Sequence, residues 1–317
     1  MLTLIGRHHQ SGELRRIVVA GERIAAMETP AGDDPAALGG ADCWLAPGLL
    51  DLQVNGFAGR DFNAPDVTPA DVVTVAESLA AAGVTAFCPT VITASHAALV
   101  TSLGDIATAR ATSPLAGERI LGIHLEGPYL SPEDGPRGAH PLAHVRPPDW
   151  DEFTRLQAAA GGHIRVITLA PELAGALEFI ARARQAGVIV ALGHHQANRA
   201  QLLAAVEAGA SLSTHLGNGC HALLPRHNTY LWEQLAHDGL WASIIVDGHH
   251  LPPAVVRTIF RTKGAGRLVL VSDAVAAAGL PPGRHRAFGA EVEVRADGSV
   301  HLAGTPYLAG SGLRLWQ

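Results

Sequence analysis

Residues 164–215 read IRVITLAPELAGALEFIARARQAGVIVALGHHQANRAQLLAAVEAGASLSTH. Ile164–Leu169, Val188–Leu192 and Ser211–Thr214 are short runs, largely apolar and β-branched, which predicts strands. Between them, Leu173–Gln185 and Arg199–Glu207 carry longer helical patterns. Strand, helix, strand, helix, strand in strict alternation implies parallel strands joined by right-handed crossovers.

The same texture continues in both directions. Further strands are expected at Leu49–Val54, Thr85–Thr90, Ile120–Leu125, Ala242–Val246 and Leu268–Val271. Helices are expected at Ala70–Ala82, His96–Ala109, Asp149–Ala159, Leu231–His237 and Pro253–Arg261. Eight strands of this kind suggest an α/β fold closed as a (β/α)8 TIM-type barrel. An open doubly wound sheet is the alternative, but no G-x-G-x-x-G follows any strand to support a dinucleotide site.

Before Pro47 the pattern is different. Leu2–Ile5, Ile17–Ala20 and Arg23–Met27 read as short strands with Gly21-Glu22 as a turn, and Ala31–Asp42 reads as a loop. The expected division is a small, partial N-terminal β domain over 1–46 and a barrel over 47–317. Past the eighth strand, Gly283–Leu302 reads as a hairpin turning at Asp297-Gly298. No final barrel helix is visible, so the C-terminal part reads as truncated.

Composition removes several classes. The chain has 317 residues and a formal charge of -6, and Lys263 is its one lysine among 23 basic residues. A P-loop is excluded, because that lysine sits in Thr262-Lys263-Gly264. A nucleic-acid partner is not expected, because no basic run exceeds two residues. Cys43, Cys88 and Cys220 are too few and too scattered for a disulfide scaffold, and they suit a reducing compartment. Neither a signal peptide nor a membrane span is read, so the expected location is the cytoplasm. Histidine is the surplus, with 17 residues.

A barrel of this type works at the C-terminal ends of its strands. Five strands end there in His, Glu or Asp: His124-Leu-Glu126-Gly-Pro128, Gly193-His194-His195, Thr214-His215, Asp247-Gly-His249-His250 and Ser272-Asp273. Each is weak alone. Together they crowd titratable groups at one mouth, which is costly unless something such as a divalent cation pairs them. Two imidazoles and a carboxylate form a common catalytic zinc set, and a remaining aspartate can serve as general base. On the first strand, Gln53 and Asn55 occupy the places where a two-metal hydrolase would want histidines. A carboxylated-lysine bridge is excluded, since no lysine lies on the fourth strand. One metal is therefore expected.

These residues, together with Pro47-Gly48, Asp51, Leu216-x-Asn218 and Ala274, resemble the N-acetylglucosamine-6-phosphate deacetylase family of the amidohydrolase superfamily. The likeness runs from about residue 45 to 275. It implies an enzyme of amino sugar metabolism that removes acetate from N-acetylglucosamine 6-phosphate and leaves glucosamine 6-phosphate. Glu126, His194 and His215 are implied as ligands of one divalent ion per subunit, zinc first, with iron, cobalt or manganese as substitutes. Asp273 is implied as the base that takes a proton from water and passes it to the departing amine. The same likeness implies that His250 polarises the acetamide carbonyl, and that Asn218 and the Gly219 backbone contact the sugar phosphate. Arg226 is implied to reach the phosphate across a homodimer interface. His140 falls in the active-site loop without a role.

The chain departs from the family pattern at Gly217-Asn218-Gly219-Cys220, at His227-Asn228 and at His195. It also ends early, at Gln317. The alternatives are a deacylase of another N-acyl sugar or amide, or a truncated, inactive metal-binding homologue.

Overall fold

The structure is a computed structural model and describes residues 1–32 and 34–317. It divides into two compact units, Met1–Gly48 and Leu49–Gln317.

In the first unit, β1 (Leu2–His8), β2 (Leu14–Ala20), β3 (Arg23–Glu28) and β4 (Leu38–Leu45) form one sheet in the order β3-β2-β1-β4. The first three strands meander antiparallel, and β4 lies parallel to β1. Strand β4 corrects the loop expected at Ala31–Asp42, of which Asp33 lies outside the described residues. Glycine is the reason. Gly39 has a φ of +96°, and a Cβ there would come 2.3 Å from the Ile5 carbonyl oxygen. The residues that read as a loop are those that let β4 approach β1.

The second unit opens with β5 (Leu49–Val54) and a small ribbon of β6 (Gly56–Phe57) and β7 (Arg60–Asp61). Then α1 (Pro69–Ala81), β8 (Val84–Ile92), α2 (His96–Thr112), α3 (Pro114–Arg119), β9 (Ile123–Glu126), α4 (Trp150–Ala159) and β10 (Ile164–Leu169) follow. The alternation continues through α5 (Ala176–Gln185), β11 (Ile189–Leu192), α6 (Arg199–Ala208), β12 (Leu212–Ser213), α7 (Tyr230–Ala236), β13 (Trp241–Ile245), α8 (Pro253–Lys263) and β14 (Leu268–Val271). Local chemistry sets the helix starts. Thr68 and Asp71 make a reciprocal capping box at α1, and Asn198 and Gln201 make one at α6.

Eight strands run parallel in the order β5-β8-β9-β10-β11-β12-β13-β14. The seam between β14 and β5 closes just past the strand ends. Asp273 N donates to the Gln53 carbonyl at 3.0 Å, and Asn55 N donates to the Ala274 carbonyl at 2.8 Å. The barrel and its helices bury a continuous core that includes Phe87, Leu103, Ile123, Leu125, Phe153 and Ile167. The interiors of the central strands are mostly buried on both faces, which is why they read as unbroken apolar runs.

Beyond β14, the expected hairpin is a three-stranded sheet of β15 (Gly283–Ala287), β16 (Ala290–Val294) and β17 (Val300–Leu302). Among the described residues no helix follows β14, and Leu50 and Leu270 on adjoining strands are 44% and 50% exposed. No described helix is long and apolar enough to cross a membrane. The single lysine has a structural place: Lys263 Nζ donates to the carbonyls of Gln234, His237 and Leu240 at 2.7, 2.8 and 2.9 Å.

Candidate active site

Glu126 is the last residue of β9, and His194, His215, His250 and Asp273 follow β11, β12, β13 and β14 within five residues. All five line one cavity of about 210 Å³. Three of them sit in left-handed backbone, with φ of +53° at His194, +30° at His215 and +51° at Asp273. Such geometry is uncommon outside glycine and clusters at functional sites, where surrounding structure holds it. Here the chain must turn sharply as each strand ends, and the turn aims the side chain inward.

Glu126 Oε1 lies 3.1 Å from His194 Nε2 and 3.0 Å from His215 Nε2, and the two nitrogens are 3.1 Å apart. A tetrahedral ion with bonds of about 2.0–2.1 Å spaces its donor atoms roughly 3.3–3.4 Å apart. The protonation pattern also fits an ion. His194 Nδ1 lies 2.8 Å from the Pro136 carbonyl oxygen, which only accepts, so Nδ1 carries the ring proton. In the neutral ring His194 Nε2 is the atom left to ligate a cation, and without one a second ring proton lets it donate to Glu126. Glu126, His194 and His215, expected together from the sequence, thus form one cluster that can hold a metal.

Charge in this cluster is strongly linked. Burial alone would raise Glu126, but hydrogen bonds to His194 and His215 overcome it and hold the carboxyl well below its usual range. Burial likewise works against a proton on His215, yet the hydrogen bond and charge of Glu126 win and raise its pKa. Burial first, then the charge of Glu126, pushes Asp273 up to about 6, against the pull of His215, His250 and Asn55.

Residues around this core were partly missed by sequence reasoning. Gln53 Nε2 donates to Glu126 Oε1 at 3.1 Å, and Asn55 Nδ2 donates to Asp273 Oδ1 at 2.7 Å. The two amides thus hold the two carboxylates. Their spacing on one strand was visible, but their partners come from other strands and were not. His140 Nε2 lies 3.3 Å from His194 Nε2, while its Nδ1 meets Thr93 Oγ1 at 2.9 Å. Glu126, His140 and His194 therefore make a second possible ligand triple sharing two members with the first. The triple with His215 is the tighter, since all its separations are 3.0–3.1 Å. His140 had only its place in a Gly-Ala-His loop as a signal.

The remaining histidines divide cleanly. His250 Nδ1 is 2.7 Å from Asp247 Oδ2, so its ring can offer Nε2 to the cavity. His249 instead turns to the Asp297 carbonyl at 3.2 Å. His195 is buried against Tyr230, with ring centroids 5.1 Å apart, and His124 Nε2 meets Thr168 Oγ1 at 2.7 Å. Asn218 and Gly219 line the cavity. Gly219 has a φ of +55°, and a Cβ there would stand 2.7 Å from the His194 ring. Arg226 is not at this cavity; it lines a separate apolar one of about 470 Å³ with Leu224 and Trp232.

The chain matches no protein-family model. It is 40% identical over 302 residues to the N-acetylglucosamine-6-phosphate deacetylase of Bos taurus, covering 92% of this chain and 71% of the bovine one. This chain belongs to the N-acetylglucosamine-6-phosphate deacetylase family. An N-acetylgalactosamine-6-phosphate deacetylase of Escherichia coli O157:H7 is 36% identical over 271 residues, 85% of this chain and 69% of that one. Among solved structures, a D-to-A mutant of the Mycobacterium smegmatis N-acetyl-D-glucosamine-6-phosphate deacetylase, in complex with N-acetyl-D-glucosamine-6-phosphate, superposes with a TM-score of 0.83. Identity there is 32%, over 98% of this chain and 80% of that one. The likeness in fold thus extends over nearly the whole of this chain.

Proposed function

We propose that this chain is a metal-dependent hydrolase that removes acetate from N-acetylglucosamine 6-phosphate. The observation that carries this reading is the meeting of Glu126, His194 and His215 within 3.1 Å of one another, in a cavity that Asp273 and His250 also line. The machinery belongs to the barrel domain, 47–317, and not to the small β domain, 1–46.

Glu126, His194 and His215 hold one divalent ion per subunit, zinc by the chemistry of the set, although iron, cobalt or manganese suit the same donors. When bound, such an ion polarises the acetamide carbonyl and makes water more acidic. Asp273 takes a proton from the attacking water, and its orientation is set by Asn55 at 2.7 Å. Water oxygen bonds to the acetyl carbon, the carbon–nitrogen bond breaks, and Asp273 returns the proton to the sugar nitrogen. Amine and acetate leave. His250, its Nδ1 held by Asp247, donates from Nε2 to the carbonyl oxygen in its imidazolium form, as charge builds there.

Asn218 and the Gly219 N–H hold the sugar phosphate. Among the described residues no lysine or arginine lines the cavity. Arg226 of a second subunit supplies the missing cation, which makes the active form a homodimer. Free cysteines at Cys43, Cys88 and Cys220 support a reducing, cytoplasmic setting.

The named activity of the Escherichia coli relative supports a second reading, the galactosamine epimer. Acetate release separates them: N-acetylglucosamine 6-phosphate, its galactosamine epimer and the unphosphorylated sugar, each with and without chelator. Chelator-sensitive release fastest from the glucosamine phosphate is expected. Faster release from the epimer reassigns the sugar, and equal release from the unphosphorylated sugar removes the phosphate from the proposal.

A further inference from the structure

The reacting cavity shares a wall with another. Ile92, Ala139 and Phe288 line it, and the same three residues line a second cavity of about 400 Å³. The far side of that second space is built from small side chains, among them Ala94, Ala97 and Ala98. These three form the partition common to both linings, beside the contact of His140 with Thr93 at 2.9 Å.

Phe288 is the unusual member. It arrives from outside the barrel, in the turn between β15 and β16, and its φ is +54°. For a bulky residue that is an outlier, held only where neighbours over-determine it. Those neighbours are visible. Phe288 N–H donates to Asp61 Oδ2 at 2.7 Å, and Asp61 Oδ1 accepts from Asn63 N at 2.8 Å. Asn63 Oδ1 in turn accepts from Ile92 N at 2.8 Å. One chain of hydrogen bonds through Asp61 and Asn63 therefore fixes both Phe288 and Ile92, two of the three partition residues.

The substrate's chemistry says what faces this wall. Around the reacting carbon, the sugar and phosphate need polar partners, which Asn218 and Gly219 offer on one side. The acyl methyl needs an apolar surface; Ile92, Ala139, Phe288, Ile245 and Leu308 supply the cavity's apolar side chains, and of these the first three also back onto the second cavity. We propose that these three form the acyl wall of the site, that Phe288 sets the acyl length accepted, and that the cavity behind it is a latent subsite for linear N-acyl groups of three or four carbons. The inference rests on the deacetylase reading above.

The test compares N-acetyl, N-propionyl and N-butyryl glucosamine 6-phosphate as substrates of the wild type and Phe288→Gly. Glycine suits the backbone conformation at 288. The wild type should favour acetyl over butyryl by about tenfold or more, the order that extra methylenes are worth in a fitted pocket. Phe288→Gly should raise the butyryl-to-acetyl ratio of kcat/KM by about tenfold, and adding Ala98→Leu, which refills the second cavity, should return it towards the wild-type ratio. Should Phe288→Gly lose all hydrolysis, Phe288→Leu decides, with the same shift expected and smaller. A ratio unmoved in a variant that still cleaves the acetyl substrate overturns the proposal. If the wild type cleaves no acyl derivative, the deacetylase reading fails instead. The acyl wall is then judged by calorimetric affinity for the same three ligands, where an unmoved ratio again overturns it.

Discussion

Asn55 donates its side-chain amide to Asp273 Oδ1 at 2.7 Å, across the seam where the first and last barrel strands meet. The pairing fixes which atom of the amide is which, because an ionised carboxylate only accepts. It leaves Asn55 Oδ1 buried without a protein partner. Asn55 therefore holds the orientation of the Asp273 carboxylate, the proposed base.

Removing that donor should be felt in turnover more than in binding. A hydrogen bond to a charged group is worth about 1.5–3 kcal/mol. Asn55→Leu, close in size, should lower kcat by roughly tenfold to a hundredfold, while KM stays within about threefold and metal content is unchanged. Loss of metal in this variant would assign Asn55 to metal retention instead.

Asp273 supplies a pH prediction. Its pKa in the metal-free site is pushed up to about 6 by burial and by Glu126, and a bound cation beside Glu126 lowers it from there, so kcat should fall as the pH turns acid and the base becomes protonated. Asp273→Asn should keep metal yet lose turnover by about 10²–10⁴-fold. The stability sign runs the other way. A carboxylate raised in the folded state is most stabilising below its unfolded pKa, and that contribution is lost as pH rises through about 6. Metal-free Asp273→Asn should therefore melt higher than metal-free wild type at pH 7.5, with the gain gone near pH 4. Melting curves at both pH values check this.

The two candidate metal triples make different demands. Both include Glu126 and His194, so the third member decides. His215→Ala should abolish metal retention in elemental analysis after dialysis, because His215 Nε2 is within 3.1 Å of both shared members. His140→Ala should retain the ion. The reverse outcome would move the ion to the His140 triple.

Lys263 shows where composition informs and where it stops. The lone lysine could be read from the sequence as excluding a lysine-bridged metal pair. Its own role could not be read, because the three carbonyls it meets belong to the end of α7 and the loop after it. Likewise, the barrel was legible because each strand and helix carries a local period, and the strand-end His, Glu and Asp were legible because the fold places them at one mouth. Strand β4 was not, since its glycines signal a loop locally and serve a close approach to β1 only in three dimensions. Phe288 carried no signal either, since it lies in a hairpin beyond the last barrel strand and reaches the cavity only in three dimensions.

Lys263→Met keeps the length of the side chain and removes all three donations. Leaving those carbonyls short of donors, against the cost of burying an ammonium, should destabilise the protein by about 2–4 kcal/mol in denaturant unfolding. Burial already pushes the Lys263 pKa down to about 8. Activity of the folded fraction should be unchanged, as Lys263 lies outside the cavity. An unchanged midpoint would mean that water replaces the ammonium without loss.

Arg226 gives the last prediction, and it separates a dimer that shares its site from one that does not. Arg226 lines a cavity apart from the reacting groups, and among the described residues no cationic side chain of the Lys or Arg type lines the site itself. If a second subunit delivers Arg226, then Arg226→Ala should raise KM for the phosphorylated sugar by about tenfold or more, the scale of a lost bidentate phosphate contact. Hydrolysis of the unphosphorylated sugar should not change. The decisive measurement mixes two poor variants, Arg226→Ala and Asp273→Asn, under conditions that exchange subunits. A mixed dimer has one site with Asp273 intact and Arg226 donated from the other chain, so activity at low substrate should reappear on mixing. Activity no higher than the sum of the separate variants, in a mixture shown to have exchanged, would place Arg226 outside the partner's site.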